Sequence, residues 1–530
     1  MIRIVLMRIL LSVFFIAGSA ALLAQVHQPD RFEIELTPYE DEYNVLSAEE
    51  EGVLVYREMS EFQSGSQKWK FTMLDTTLTE QWEKEYFLDR DHIYKGYDYD
   101  ENNFYFLFRI TERGSHDLML IQMNASTGDT LNYRIKNLVP LRLEAFEMAN
   151  GAAIIGGYFN EDPVVMYYGL ESKKTKVLPG IYGNKTELVQ VKIEKDIIKV
   201  LVTERTFDKR NTLAIKTYDL QGNYLDNYVF KPEEDTGLIF GRVAEINNEG
   251  SLICGTYGAR KSDYSRGLFI AQHKKDEGQV MQYFNFADLD NFFAYMKAKR
   301  QERVANKITR KKVKGKKVKF NYRLLVHEII ESEDSYIMLG EAFYIKYNNS
   351  QSFSRYNVGT NYYGNGPNYN TMTFAGYRYT HAVVIGFDKK GNKLWDNSFQ
   401  IEDVLTYSLD QYVHADVIDD KVILLYLYNN EIRTKIISGS DVLEGKLYDE
   451  VKMSFADDYV NKNNYSNIGG LEKWYGHNFF AYGVQKIKNL RDSGVKLNRK
   501  VFYINKISYD GVTPDAVEIS KLSEGEVKIP

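Results

Sequence analysis

Cysteine, proline and tryptophan are nearly missing from this chain of 530 residues: one Cys, nine Pro and four Trp. A lone cysteine, Cys254 in the apolar run SLICGTY, can form no internal disulfide, so core burial and β-ladders must supply the stability. Its neighbours mark it as a small core residue. With nine prolines and no Gly/Ser-rich or Pro-rich spacer, the chain has no recognisable linkers. Its length would otherwise suggest several domains; one large repeat array accounts for it better.

Catalytic and metal signatures are also missing. No G-x-S-x-G nucleophile elbow occurs. The eight histidines (His27, His92, His116, His273, His327, His381, His414 and His477) stand singly, without H-x-x-x-H pairs or partner cysteines, so each reads as structural and no zinc site is expected. DYDENN, from Asp98, begins like a calcium loop, but Asn103 replaces the required glycine and Arg109 the bidentate glutamate. It reads as a solvated turn. Carboxylates from different blades could still meet in a central channel, which spacing alone does not reveal.

Past the N-terminus no segment is apolar enough to span a bilayer. The N-terminus itself reads as a secretory signal over residues 1–24: Arg3 and Arg8 flank a short n-region, Ile9 to Ile16 form the apolar core, and small residues follow at Ala17 to Ala21. No cysteine stands near to take a lipid. The expectation is an exported protein of the bacterial periplasm or cell surface, not lipid-anchored, with no transmembrane segment in the mature chain.

What is present is tyrosine, 41 residues against 29 Phe, a mix suited to half-buried strand faces. A strand, a turn rich in Gly, Asp and Asn, and a second strand recur at Lys68, Leu118, Leu213 and Ala382, with weaker copies at Val165 to Leu178, Leu268 to Phe286, Thr434 to Tyr448 and Val501 to Ser520. Asp75, Asn124, Glu171 and Asp219, taken as equivalent turn positions, are spaced 49, 47 and 48 residues apart. Two more strand-like runs precede each hairpin, as in QYVHADVIDD and KVILLYLYNN. The pattern predicts an all-β fold, a single β-propeller of about eight four-stranded blades over residues 31–530, with seven blades as the alternative. RFEIELTP, Arg31 to Pro38, is expected to complete the last blade beside the C-terminal hairpin.

The hairpins resemble the repeat of the quinoprotein-like (PQQ-like) propeller superfamily, in which Asp, Gly and a later Trp mark each blade. Asp388, Gly391 and Trp395 match best; Asp75 and Trp82 keep the ends; Asn124, Thr127 and Gly128 keep the turn, with Asn132 in the Trp position. The resemblance implies a fold and little about activity. The vicinal cysteines of some quinoprotein dehydrogenases cannot exist here, and no cofactor is expected.

In up-and-down blades with strands A (inner) to D (outer), the B-to-C and D-to-A loops share one face. The long polar loops fall there: SEFQSGSQ, TERGSH, TERTFDKRN, GARKSDYSRG and NLRDSGVKLNRK. Two insertions join them. Residues 289–323 form a basic insertion between blades, in which DNFFAYMKAKRQERVANK looks helical; Lys297 to Arg323 carries 13 basic residues against Glu302, a charge of +12, which leaves −18 for the rest of a chain whose net charge is −6. Residues 347–378 form a loop insertion rich in Tyr, Asn and Gly, a composition shared with antibody binding loops. The expected partner-binding residues are Arg303, Arg310, Lys311, Lys312, Lys316 and Lys317 of the first, Tyr356, Tyr362, Tyr363 and Tyr369 of the second, and Arg113, Arg205, Arg210, Arg260 and Arg266 of the smaller loops, joined by Arg491 and Arg499. The function expected is non-catalytic: docking onto a cell-envelope protein or complex, such as a secretion or transport apparatus, through this face. Binding of an anionic glycan or lipid head group is the alternative, followed by a hydrolase acting on polysaccharide or peptide at the channel. No nucleic-acid module is recognisable.

Overall fold

The computed structural model describes residues 26–509 except 38–42, 112–115, 184, 248–249, 261, 275–277, 333, 351–370, 461–468 and 493. The expected signal segment and the chain beyond residue 509 fall outside this range.

Eight antiparallel sheets follow one another around a ring, each with four principal strands. Blades 1 to 7 span residues 44–89, 92–135, 142–177, 187–230, 236–285, 323–400 and 414–450. In blade 7 the strands His414–Ile418, Lys421–Tyr428, Glu431–Ser438 and Asp441–Glu450 run from inner to outer. Burial peaks in the two middle strands: the second buries Val422 to Tyr426 as a continuous run and the third also buries five residues, while the fourth has no buried residue. Inner strands are sandwiched between neighbouring blades, and continuous apolar runs satisfy both faces.

The recurring turn has a plain local cause. Asp75, Asp219 and Asp388 each turn one carboxylate oxygen back onto the backbone N–H groups two and four residues ahead, at 2.8–3.0 Å. Asn124 does the same for Ser126 and Thr127. This Asx geometry replaces ladder bonds at the bend and explains why Asp or Asn marks these four hairpins. Gly128 (φ +70°) must stay glycine for a second reason: a Cβ there would lie 2.9 Å from the ring of Trp82 in the preceding blade. The Trp82 indole N–H donates to Ala125 O at 2.8 Å, stitching blade 1 to blade 2.

Ring closure uses the expected strand. Arg31–Glu35 pairs antiparallel with Val501 to Asn505 and so occupies the outer edge of blade 8, whose inner strands are Gly469–Lys473, Phe479–Asn489 and Asn498–Tyr509. Of the hairpin expected over Val501 to Ser520, the part past Tyr509 lies outside the described residues; the edge of Asn498–Tyr509 is paired by Arg31–Glu35 together with Val26–His27. The Arg31 guanidinium bonds Lys452 O, Asn505 Oδ1 and Gln485 Oε1, each at 2.8 Å.

Among the described residues no helix is long and apolar enough to cross a membrane. Cys254 is fully buried, and burial raises its thiol pKa.

Candidate functional site

The basic insertion is an ordered strap on the loop face. Its first residues do not continue a helix, as the sequence pattern suggests; Asn291 to Met296 make tight turns because their aromatic rings leave for the core. Phe292 is fully buried, stacks on Phe286 at 4.3 Å and meets Tyr322 and His381 edge-on at 5.1 and 5.0 Å. The fully buried carboxylate of Asp396 holds the turn by accepting from Asp290 N (3.0 Å), Asn291 N (2.7 Å) and the Lys393 ammonium (2.8 Å). Only then does helix α1 begin, over Ala298–Val313. The Gln301 amide reaches back to Ala294 O and Met296 O and ties its first turn to the strap. Arg310, Lys311 and Lys312 sit in its last turn, where cations favour the helix dipole. Val304 and Ile308 face the core, and Lys307 lies over the Phe320 ring at 4.9 Å.

Blade 6 carries the other wall. Its strands Ser335–Ser350 and Thr371–Asp388 are 16 and 18 residues long, far beyond the usual strand, and rise as a ribbon above the ring. Strand Arg323–Glu331 pairs with the first of them only as far as Phe343; past that point the short strand Leu405–Thr406 braces the second through Tyr377 and Arg378, and the ribbon extends beyond it. Along it an aromatic ladder climbs from Phe343 to Tyr377 (5.7 Å), Phe374 (5.2 Å) and Tyr347 (6.5 Å), with Tyr407 beside Phe374. Tyr344 and Tyr347 are about half exposed, at 48% and 51%.

Strap and ribbon enclose a cleft of about 900 Å³. Tyr295 and Tyr322 form its floor, their hydroxyls 3.4 Å apart. Beneath them His381, fully buried, stacks on Tyr295 with ring centroids 3.7 Å apart. Tyr344 and Tyr347 form one wall; Tyr264, with the Arg323 guanidinium 4.9 Å above its ring, forms the other. Lys297 and Arg300 line the cleft with exposed side chains and no carboxylate within ion-pair distance among the described residues. The cleft's acids are already engaged: Glu402 by Lys446 (2.6 Å) and Arg433 (3.3 Å), which hold its pKa low, and Asp403 by Arg378.

The expected binding residues are distributed unevenly. Arg303, Arg310, Lys316 and Lys317 stand exposed on the strap; Lys311 is half-buried, and Lys312 pairs with Asp288 at 2.7 Å. Arg205 is exposed at a strand end, while Arg266 is half-buried and its carbonyl accepts from Phe286 N. Arg210 and Arg260 are internal cross-braces: both pair with Asp208, at 2.6 and 3.1 Å, joining loops of blades 4 and 5. Arg491 pairs with Asp457, and Arg499 is buried against Asp458 at 2.7 Å. Arg113, Tyr356, Tyr362, Tyr363 and Tyr369 lie outside the described residues. The residues that line the cleft were missed for different reasons. Lys297 and Arg300 were within the charge run but indistinguishable from its other cations, and Tyr264, Tyr295, Tyr322 and Tyr344 read as ordinary strand and helix aromatics.

The central channel holds a second cluster. Asp98, expected in a solvated turn, is instead half-buried at the end of an inner strand and accepts from Met148 N at 2.5 Å and Tyr99 N at 2.9 Å. Burial, only partly offset by those bonds, pushes its carboxyl up to about 6. Glu147, on the inner strand of the next blade, is pushed up to about 8 by burial and by the charge of Asp98. Tyr482 donates to Glu472 at 3.1 Å, and burial raises both groups. His327 meets the fully buried Glu341 at 2.9 Å, and Glu341 also accepts from Val413 N, binding blade 6 to blade 7. Among the described residues, no three His, Cys, Asp or Glu side chains gather in a metal-holding arrangement.

No family model and no curated protein matches this chain, so the quinoprotein-like resemblance remains one of form. Solved structures similar to it include the β-propeller domain of the trilobed protease from Pyrococcus furiosus (9% identity over 80% of this chain and 94% of that one, TM-score 0.35) and the polysaccharide lyase Uly1 (8%, 90% and 100%, TM-score 0.38). A prolyl endopeptidase structure matches at 10% identity over 78% of this chain and 50% of that one, TM-score 0.37. At such identities nothing about activity passes from one chain to the other.

Proposed function

We propose that this protein is a non-catalytic recognition protein of the bacterial cell envelope, exported by its N-terminal segment, that captures an anionic partner protein or complex on the loop face of the propeller. The observation that supports this most directly is the strap. Its cations are displayed on a helix locked to the ring by Phe292 and Asp396, and they stand beside an exposed aromatic ribbon on the same face. A fixed field of one sign steers an oppositely charged partner, and rigid aromatic rings add contact area at low entropic cost. Arg303, Arg310, Lys316 and Lys317 have no carboxylate within ion-pair distance among the described residues and are free to serve. Changing all four to Glu is expected to abolish capture of the partner from the native envelope, with the unfolding midpoint unchanged. Undiminished capture would refute the reading.

A second reading, a hydrolase acting at the channel, draws support from Asp98 and Glu147, two neighbouring carboxyls with raised and separated pKa values. Such separation assigns acid and base roles in many hydrolases. It requires that the purified protein cleave polysaccharide or peptide and that Glu147→Gln abolish the cleavage. Activity that survives in this variant removes the pair from consideration.

A further inference from the structure

The cleft between strap and ribbon is more selective than a charged surface needs to be. Tyrosine is its commonest lining residue, six of eighteen, and among the described residues Ile345 and Ile401 are the only aliphatic side chains that line it. A peptide with apolar side chains would seek aliphatic pockets, and this lining offers almost none. Tyrosine instead pairs an apolar ring face with a hydroxyl at the edge, which suits a flat ligand with C–H faces and peripheral hydroxyls. Lys297 and Arg300 at the mouth, and Arg323 held over Tyr264, make no ion pair with a carboxylate among the described residues; of the cleft's two acids, Asp403 is paired with Arg378 of the same lining, and Glu402 is held by Lys446 and Arg433 and feels the charge of Lys297 only at longer range. The volume, about 900 Å³, is at the upper end for a small-ligand site and exceeds what one sugar ring would fill.

We propose that this cleft binds a carboxylate-bearing oligosaccharide, with sugar rings against Tyr344, Tyr347 and Tyr264 and its carboxylates at Lys297, Arg300 and Arg323. The assignment rests on the loop-face reading above and adds to it a ligand class. The floor is preorganised: Tyr295 is fixed between His381 below and the Tyr322 hydroxyl beside it, so little freedom is lost when a ring settles on it. The part-saturated charge of the cleft also sets an order of preference. A neutral glycan of equal size gains the stacking without the ion pairs, and an acidic peptide gains the ion pairs without the stacking.

Calorimetric titration of the purified protein with a short oligouronate, a neutral oligosaccharide of the same length and an oligoglutamate of the same charge tests the inference. The oligouronate is expected to bind and both controls to bind at least about tenfold more weakly: the neutral sugar because each lost charge-assisted bond costs roughly ten- to hundredfold in affinity, the peptide because it has no ring to stack on the tyrosines. Lys297→Glu with Arg300→Glu should remove oligouronate binding, and Tyr344→Ala with Tyr347→Ala should weaken it while leaving the salt dependence in place. Equal binding of oligouronate and oligoglutamate, or of the acidic and neutral sugars, overturns the assignment, as does no oligouronate binding by folded protein. The variant with Arg303, Arg310, Lys316 and Lys317 changed to Glu separates the two readings. If oligouronate does not bind the parent while this variant still loses partner capture, the cleft assignment falls and the loop-face reading stands. If this variant keeps both oligouronate and the partner, the loop-face reading falls and the cleft assignment stands as an independent site.

Discussion

His381 shows how much of the cleft is decided by one buried side chain. Thr380 donates its hydroxyl proton to Ala342 O at 3.0 Å, so at 2.9 Å it must accept from His381 Nδ1–H, which leaves Nε2 as a lone pair. That nitrogen has no hydrogen-bond partner and is fully buried. Burial holds the ring neutral by pushing its pKa down to about 3. The direction of the linkage follows. The unfolded chain takes up a proton below about pH 6.5 and the folded one does not, so stability is complete above that pH and declines toward pH 3, by about 1.4 kcal/mol per pH unit for this group. His381→Phe keeps a ring against Tyr295 and removes the titration. Urea unfolding of parent and variant between pH 7 and about pH 4 should therefore diverge, with the variant gaining relative stability as the pH falls by roughly that slope. Parallel curves would mean that His381 is protonated in the folded protein.

At the scale of elements, the parts legible in the sequence are those whose cause is local. The Asp and Asn turn residues announce their hairpins because each closes its own bend through its side chain, and the same chemistry stands at Asp75, Asn124 and Asp219, three of the four positions that gave the repeat spacing. Strand alternation assigned both insertions to one face; the basic one lies in the D-to-A connection before blade 6, and residues 351–370 of the other, outside the described residues, fall between the second and third strands of that blade. Features that depend on distant partners were not legible. The helix begins at Ala298 and not near Asp290 because Asp396, more than a hundred residues away in sequence, captures the backbone N–H groups of Asp290 and Asn291 in a turn. Arg210 and Arg260 resemble free loop cations until Asp208 is seen between them. Asp98 sits in a segment polar enough to be a solvated turn, and only the neighbouring blade, through Met148 N, makes it an inner-strand brace. The cleft combines both cases: its cations came from a visible charge run, but its tyrosines are drawn from separate loops and strands of blades 5 and 6 and share no pattern.

The whole molecule depends on closure. A blade buries its faces only against two neighbours, and each apolar cluster is accordingly shared between adjacent blades, as where Val53, Val55 and Leu74 of blade 1 pack with Phe480, Phe502 and Ile504 of blade 8. The Trp474 indole N–H donates to Gly52 O at 2.9 Å across that same junction. In an open array the terminal repeats would be the weakest, whereas a closed ring has no terminal repeat as long as Arg31–Glu35 completes blade 8. Removing residues up to Leu36 would leave the edge of Asn498–Tyr509 unpaired and deprive the fully buried Asn505 of its Arg31 partner. Each unsatisfied buried group costs about 1–3 kcal/mol, in addition to the lost ladder. Such a deletion should therefore localise its damage. Hydrogen exchange is expected to quicken first in Phe479–Asn489 and Asn498–Tyr509, then in blades 1 and 7, and last in blade 4, which lies across the ring from the break. Uniform acceleration around all eight blades would show instead that the ring opens as one cooperative unit. Protection unchanged in Asn498–Tyr509 would show that the N-terminal strand is not what closes it.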